Sequence, residues 1–458
     1  MTLIVTTENE LLRVAPPNLP LAPTQYDSRY HEQFNNVLRL YFNQLNKIVG
    51  QLVANTSTLP VSIDGTNTDA FGRLRVSQPY TLFDSQNRYA ADTQFDTSTA
   101  TGGSTTYLSN ESTLRMNVTT SSGSEVVRQT FRSFPYQPGK GLLCLATFVM
   151  NTAKTGLRQR VGYFNTQNGV FFQQADSTKS FVLRSYVTGS VSDARTVNQS
   201  DWNGDKLDGT GASGLTLDTS KAQILWMDFE WLGVGSVRCG FIIDGQYIVC
   251  HTFQNANDIQ NVYMTTATLP VRYEITNTAA TASSSSLKQI CSSVVSEGGY
   301  EQYSPGHIAR RTTTVTTIGS TFKPIVSIRL ASTSPGAVIV PGRIQVLPTT
   351  SQNYEVALVK NATLTGASWV TMPTDSNVEY DVSATAITGG TIVQTDYVSS
   401  SGAGGTVPLV DPAGYNWALQ PGVSLAGVSD IISIQIRTVS GATTGDAVGS
   451  LSFWDLTA

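Results

Sequence analysis

At 458 residues the chain exceeds one ordinary core, and at about 150 residues per domain it predicts two or three. Only 14% of the residues are charged, the net charge is −4 and no basic run occurs, so DNA and RNA are not expected as partners. No apolar run approaches the roughly 18 residues of a membrane span, and MTLIVTTENELL is acidic where a secretory signal is basic, so a soluble, unexported chain is expected.

Residues 1–23 carry prolines at 16, 17, 20 and 23 and no usable period. They predict an extended arm, either a peptide that threads into another protein or a frayed terminus. The next stretch holds the one convincing long helical period. Phe34, Leu38, Tyr41, Leu45, Ile48 and Leu52 recur in alternating steps of four and three, a heptad seam and the expected oligomerisation surface. Leu38, Leu45 and Leu52 fall at position a, and Phe34, Tyr41 and Ile48 at position d. This choice leans away from dimers toward three or four strands, with a homotrimer expected. The flanking positions, Asn35, Val37, Phe42, Gln44, Val49 and Gln51, carry no charge that would select a partner. Pro23, Thr24 and Asp27 predict a capping-box start and a helix over 24–54. Gly50 costs about 1 kcal/mol relative to alanine, and Asn55 to Thr58 then release the chain. In the alternative, the amphipathic helix packs on its own β domain in a monomer.

From residue 55 onward the composition is that of an all-β protein, rich in Ser, Thr, Asn, Gly and Val with recurring turn clusters. Strands are predicted at 113–118, 126–131, 142–150, 170–174, 181–187, 224–231, 237–243, 246–251, 271–275 and 287–295. Their spacing predicts a jelly-roll-like β-sandwich over 55–310. Gly298 to Arg311 is the expected boundary. A second β-sandwich domain over 311–458 follows, with strands at 325–330, 343–347, 354–360, 378–382, 391–393, 431–439 and 451–454. The fold class is thus mainly β, with an N-terminal oligomerising helix ahead of two sandwiches. No fixed-period repeat occurs, which disfavours a solenoid or propeller.

Cys144, Cys239, Cys250 and Cys291 form no C-x-x-C pair and read as buried free thiols. Asp244-Gly245 is a two-residue hairpin signal, and equal counting outward sets Cys239 opposite Cys250. That register allows a disulfide, whereas the lack of an export signal favours reduced thiols.

Four stretches resemble segments of virion structural proteins of tailed bacteriophages, above all marine and cyanobacterial phages. They are DAFGRLRVSQPYTLFDS (69–85), RVGYFNTQNGVFF (160–172), WMDFEWLGVGSVRCGFIIDG (226–245) and SEGGY (296–300). The segment YHEQFNNVLRLYFNQL (30–45) resembles the N-terminal part of such proteins. The resemblance runs through about the first two-thirds of the chain. It implies a virion component assembled in the bacterial cytoplasm, in keeping with free thiols, and leaves open tail, baseplate and head. On this basis the expected function is an oligomeric tail-associated or fibre-like appendage, anchored to other virion proteins through the arm and helix and contacting a host-surface glycan. A capsid decoration or head-fibre protein is the alternative.

Enzymatic readings have few residues to stand on. Asp228 and Glu230, two apart on a predicted strand, share a face with Trp226, while Met227, Phe229 and Trp231 face the core. They could serve a polysaccharide depolymerase, or lie on a solvated outer face or subunit contact. Asp201, Asn203 and Asp205 have calcium-loop spacing, but Lys206 stands where glycine is needed and Ala212 where the bidentate glutamate belongs. This leaves an irregular site using Asp201, Asp205 and Asp208 or a plain polar loop. Gly209, Gly211 and Gly214 match G-x-G-x-x-G without a strand-to-helix context. His31, His251 and His307 belong to no hydrolase or zinc motif. Trp202, Trp369, Tyr415 and Trp417 are either a sugar-stacking platform or core. No catalytic residue, metal or cofactor is expected.

Overall fold

A computed structural model describes residues 18–21, 24, 25, 27–58, 79–300, 306–372, 375–399, 405–408, 419–439, 441 and 444–457; for 47–58 and 405–408 it describes the backbone alone. The chain divides into two compact units, Met1–Asp64 and Gly65–Ala458. Most of the predicted arm, together with Asp69 to Gln78 of the phage-like segment, Tyr415 and Trp417, lies outside the described residues.

Helix α1 spans Ser28–Thr58 rather than 24–54. Asp27, not Thr24, caps it: its Oδ1 accepts the Arg29 backbone N–H at 2.9 Å. Aspartate is a stronger cap than threonine because its charge also favours the positive end of the helix dipole. The helix continues through Gly50 and the Asn55 to Thr58 stretch, since one glycine weakens a helix without removing a hydrogen-bond donor as proline does.

The first sandwich begins with β1 (Pro79–Gln86), β2 (Phe95–Ala100), β3 (Ser104–Leu108), β4 (Thr113–Val118) and β5 (Glu125–Thr130). It continues with β6 (Gly141–Val149), β7 (Leu157–Phe164), β8 (Gly169–Ala175), β9 (Thr178–Ser185) and β10 (Ser192–Asn198). The last strands are β11 (Gln223–Phe229), β12 (Val237–Ile243), β13 (Gln246–Phe253), β14 (Val271–Asn277) and β15 (Ser285–Glu297). One sheet has the order β13-β12-β11-β6-β15-β4-β3, with β1 also on β15, and the facing sheet has the order β10-β9-β8-β7-β14-β5-β2. The triplets β4-β15-β6 and β5-β14-β7 occupy corresponding positions in the two sheets. The chain therefore crosses between sheets at β4 to β5, β6 to β7 and β14 to β15, a jelly-roll-like wrapping.

Period-two alternation fills the space between these sheets. Val161 and Tyr163 of β7 and Val271, Tyr273 and Ile275 of β14 point inward, where Phe148, Phe172, Phe181 and Phe241 pack together, mostly edge-on or tilted, at centroid distances of 5.2–6.2 Å. Each such side chain contributes about 1.5–3 kcal/mol by leaving water.

The second sandwich comprises β16 (Gly306–Ile318), β17 (Lys323–Leu330), β18 (Ile339–Pro348), β19 (Asn353–Lys360), β20 (Thr363–Thr365) and β21 (Val370–Thr371). It is completed by β22 (Val378–Asp381), β23 (Ala386–Thr388), β24 (Thr391–Ser399), β25 (Gly405–Pro408), β26 (Ile431–Thr438) and β27 (Gly445–Asp455). A sheet of order β16-β27-β18-β25 faces one of order β21-β22-β17-β26-β19-β24, and β20 pairs with β23. Its core is separate from the first, with Ile328, Leu358, Ile434, Leu451 and Phe453 buried together.

The expected boundary at 310/311 falls inside β16, because HIARR is strand rather than linker: Ala309 turns inward while Ile308 and Arg310 turn out. The two sandwiches belong to one compact unit and are stitched together. The Gln420 side chain donates to the Ser133 carbonyl at 3.0 Å, the Val423 N–H to the Phe131 carbonyl at 2.8 Å and the Leu425 N–H to Asp96 Oδ2 at 2.7 Å.

Candidate oligomerisation surface and other candidate sites

Helix geometry lays Phe34, Leu38, Tyr41 and Leu45 along one stripe of α1. No side chain between Ser28 and Asn46 is buried: Phe34, Val37, Leu38 and Tyr41 are half-buried, Leu45 is 37% exposed and Phe42 56%. Tyr30 stacks on Phe34 at 6.0 Å and prolongs the stripe by a turn. Arg29, Glu32, Gln33, Asn36 and Arg39 are exposed and polar, with Arg39 Nη2 donating to Asn36 Oδ1 at 2.9 Å. Ile48 and Leu52 continue the seam on the helix backbone, but their side chains lie outside the described residues. A leucine left in water forgoes about 1.5–3 kcal/mol, so a seam of this length gains from a partner surface.

The paired carboxylates do not form a solvent-facing acid pair. The alternation is as expected, with Leu225, Met227 and Phe229 in the core and Trp226 and Asp228 on the other face. Asp228 is nevertheless fully buried: Arg238, directly opposite on β12, donates its Nε at 3.0 Å and its Nη2 to the same carboxylate oxygen. Glu230 lies past the end of β11, half-buried, with Oε1 accepting the Ser236 N–H at 3.4 Å. Removing one partner of such a buried pair would leave the other charge uncompensated, so the Asp228 carboxylate is committed to Arg238 in this structure.

The aspartate loop is closed on itself. Asp205 accepts the Leu207 N–H at 2.9 Å and the Ser213 N–H at 2.7 Å, and Asp208 accepts the Thr210 N–H at 2.9 Å. Burial alone would raise the Asp205 carboxyl, but these donors outweigh it and hold it below its usual value. No group of three or more metal-ligating side chains occurs among the described residues. The loop instead braces the neighbouring hairpin, since the N–H groups of Gly204 and Asp205 donate to the Cys250 and Val249 carbonyls, both at 2.9 Å.

That bracing coincides with a register shift between Cys239 and Gly240, so Cys239 faces His251 and Cys250 is the extra residue of a β-bulge. Equal counting from the turn therefore fails, and all four cysteines are free. Cys144, Cys239 and Cys250 are buried, whereas Cys291 is exposed. Burial pushes the Cys144 thiol up to about 12 and Cys239 well above its ordinary value, which makes both poor nucleophiles. Of the expected platform aromatics, Trp202 is core, packed against Phe181 with ring centroids 4.7 Å apart, and Trp369 is covered by the Arg329 guanidinium at 4.2 Å.

One feature of the outer face of β7, β14, β8 and β9 was not anticipated from the sequence. Glu274 Oε1 accepts Arg158 at 3.1 Å and Arg160 at 3.4 Å, and Oε2 accepts Arg272 Nε and Nη2 at 3.2 Å each. Arg184 holds Asp193 through two bonds of 2.8 Å, and the Arg160, Arg184 and Arg272 guanidiniums lie 5.1–6.0 Å above Phe164 or Phe171. Burial would raise the Glu274 carboxyl, but Arg272, Arg160 and Arg158 together outweigh it and keep it below the usual range. Each of these arginines is paired with a carboxylate, so opposite charges and aromatic rings interlock across the sheet's outer face.

No family model matches the chain, and no curated protein does. Solved structures with partial similarity include the Emp47p carbohydrate recognition domain, 11% identical over 48% of this chain and 97% of that one, TM-score 0.30. A Bacillus licheniformis β-glucanase is 12% identical over 47% of this chain and 96% of its own, TM-score 0.28. A β-1,3-glucanase from Mycobacterium marinum is 12% identical over 47% and 98%, TM-score 0.31. Likeness at this level carries no inference about activity or ligand.

Proposed function

We propose that the chain is a non-enzymatic structural component of a tailed-phage virion, a homotrimeric tail-associated or fibre-like appendage held together through α1. The observation that carries the oligomeric part is the heptad seam on a helix with no buried side chain between Ser28 and Asn46. The virion part rests on the resemblance of the quoted segments. In this reading residues 1–23 attach the assembly to other virion proteins, and the sandwiches face outward toward a host-surface glycan. Three copies on one axis multiply weak contacts, so avidity exceeds the affinity of any single site. A capsid decoration or head-fibre protein is the competing structural reading. A depolymerase spike using Asp228 and Glu230 is disfavoured, because Asp228 is closed off by Arg238.

The test is electron microscopy of purified particles labelled with gold-conjugated antibody against the second sandwich. Gold at the tail is the expected result. Gold over the capsid would move the protein to decoration, and particles without label would remove the virion reading. Deletion of residues 1–54 is expected to abolish incorporation; normal incorporation of the deleted form would contradict the role given to the helix.

A further inference from the structure

On the outer face of the sheet β16-β27-β18, Trp454 lies across β18 with its benzo edge over Gly342. Gly342 is the extra residue of a bulge between Pro341 and Arg343, and a Cβ there would stand 2.6 Å from Trp454 Cζ3 and 2.9 Å from Cη2. On the other side Gly306 is paired with Trp454, and a Cβ on it would reach no nearer than 3.7 Å to the indole. Glycine at 342 thus lets a large aromatic ring lie flat on the sheet. Trp454 is only half-buried, and Ile308 beside it is 55% exposed.

The surroundings of the ring are polar and cationic. Ile308, Ser452 and Arg343 form one row across the three strands, and Arg310, Ser450 and Gln345 form the next. Ser450 donates to Gln345 Oε1 at 3.3 Å, which leaves that amide's N–H groups for a ligand. Arg310 and Arg343 are exposed and have no ion-pair or hydrogen-bond partner for their guanidiniums among the described residues. No Asp or Glu occurs in these two rows. The groove between Trp454, Arg343 and Ser450 has a volume of about 330 Å³, near the lower end of small-ligand pockets.

We propose that this groove is a binding site for an acidic sugar, with the apolar face of a pyranose ring stacked on Trp454. Its carboxylate is met by Arg343, with Arg310 reaching the next residue of the chain, and its hydroxyls are met by Gln345, Ser450 and Ser452. Guanidinium suits this role because its planar fork matches a carboxylate. The site deepens the host-glycan contact proposed above and rests on that reading for its setting, while its chemistry can be tested apart from it.

The test is isothermal titration of the full chain with a tetramer of galacturonate and, separately, with maltotetraose, at low salt and at 1 M salt. The galacturonate tetramer is expected to bind and to weaken at 1 M salt, where the Debye length is about 3 Å. Maltotetraose is expected to bind at least about tenfold more weakly. Trp454→Ala is expected to weaken galacturonate binding about tenfold or more, and Arg343→Gln to weaken it and reduce its salt dependence, the remainder coming from Arg310. Arg343→Gln alters an exposed side chain and so serves even where Trp454→Ala disturbs the sheet. Equal binding of both sugars, or unchanged binding by either variant, would overturn the proposal. Absence of galacturonate binding would do the same, and a fall in particle mass on Trp454→Ala in that case would assign the face to a second copy. Sugar binding is read per chain, so failure of the trimer reading would appear in the mass and not in the titration.

Discussion

His251 is nearly buried, packed edge-on against Phe253 at 4.5 Å, with Nδ1 accepting the Asn203 N–H at 3.4 Å. A protonated imidazole would turn that acceptor into a donor. Burial, reinforced by the nearby Arg195, accordingly lowers the imidazole to about 4. A folded pKa below the unfolded value of about 6.5 means that the stabilisation is fully present above that pH and lost as pH falls toward the folded value. The melting temperature is therefore expected to decline between about pH 6.5 and 4, and His251→Gln, which keeps a neutral acceptor, is expected to flatten that decline. An identical slope in the variant would contradict the assignment. Glu274, also held below its ordinary value, acts in a different window: its contribution is present above the usual carboxylate range and lost only at more acid pH.

At the scale of elements, the β12–β13 hairpin shows what a one-residue bulge does to a register deduced from the turn. The Asp244-Gly245 turn is legible, with both residues at positive φ, and pairing follows the count as far as Gly240 and Val249. Beyond that, the carbonyls of Val249 and Cys250 turn toward Gly204 and Asp205, which lie far away in sequence, and the pattern of the strand itself holds no sign of it. Gly240 belongs to this arrangement, since a Cβ there would run into the Ile248 carbonyl and stand 2.9 Å from the Trp226 indole nitrogen. Gly240→Ala is expected to cost about 1–3 kcal/mol in urea unfolding. Gly245→Ala, with open space around it but φ at +75°, is expected to cost only the left-handed strain of about 1–2 kcal/mol. A neutral Gly240→Ala would remove the close-packing explanation. Strands with strong alternation, such as β4 and β12, have the limits expected from the sequence, whereas the polar edge strands β2, β3 and β10 gave no signal because neither face is fully apolar. The heptad seam is legible because its period is local. The Asp228–Arg238 pair and the Trp454 platform are not, because each depends on what stands on a neighbouring strand.

For the whole molecule, two β cores with their own apolar interiors join into one unit, and α1 belongs to another. Oligomerisation and β folding should then be separable. Residues 65–458 are expected to retain a cooperative β unfolding transition while losing self-association; loss of folded β structure on removing residues 1–64 would show that the helix is part of that fold. The most direct measurement is sedimentation equilibrium of the full chain beside Leu38→Asp/Leu45→Asp. The wild type is expected at about three times the 49.2 kDa chain mass, and the double variant at a single chain mass with an unchanged β circular-dichroism signal. A wild-type chain that sediments as a monomer across micromolar concentrations, or a double variant that keeps the trimer mass, would contradict the account.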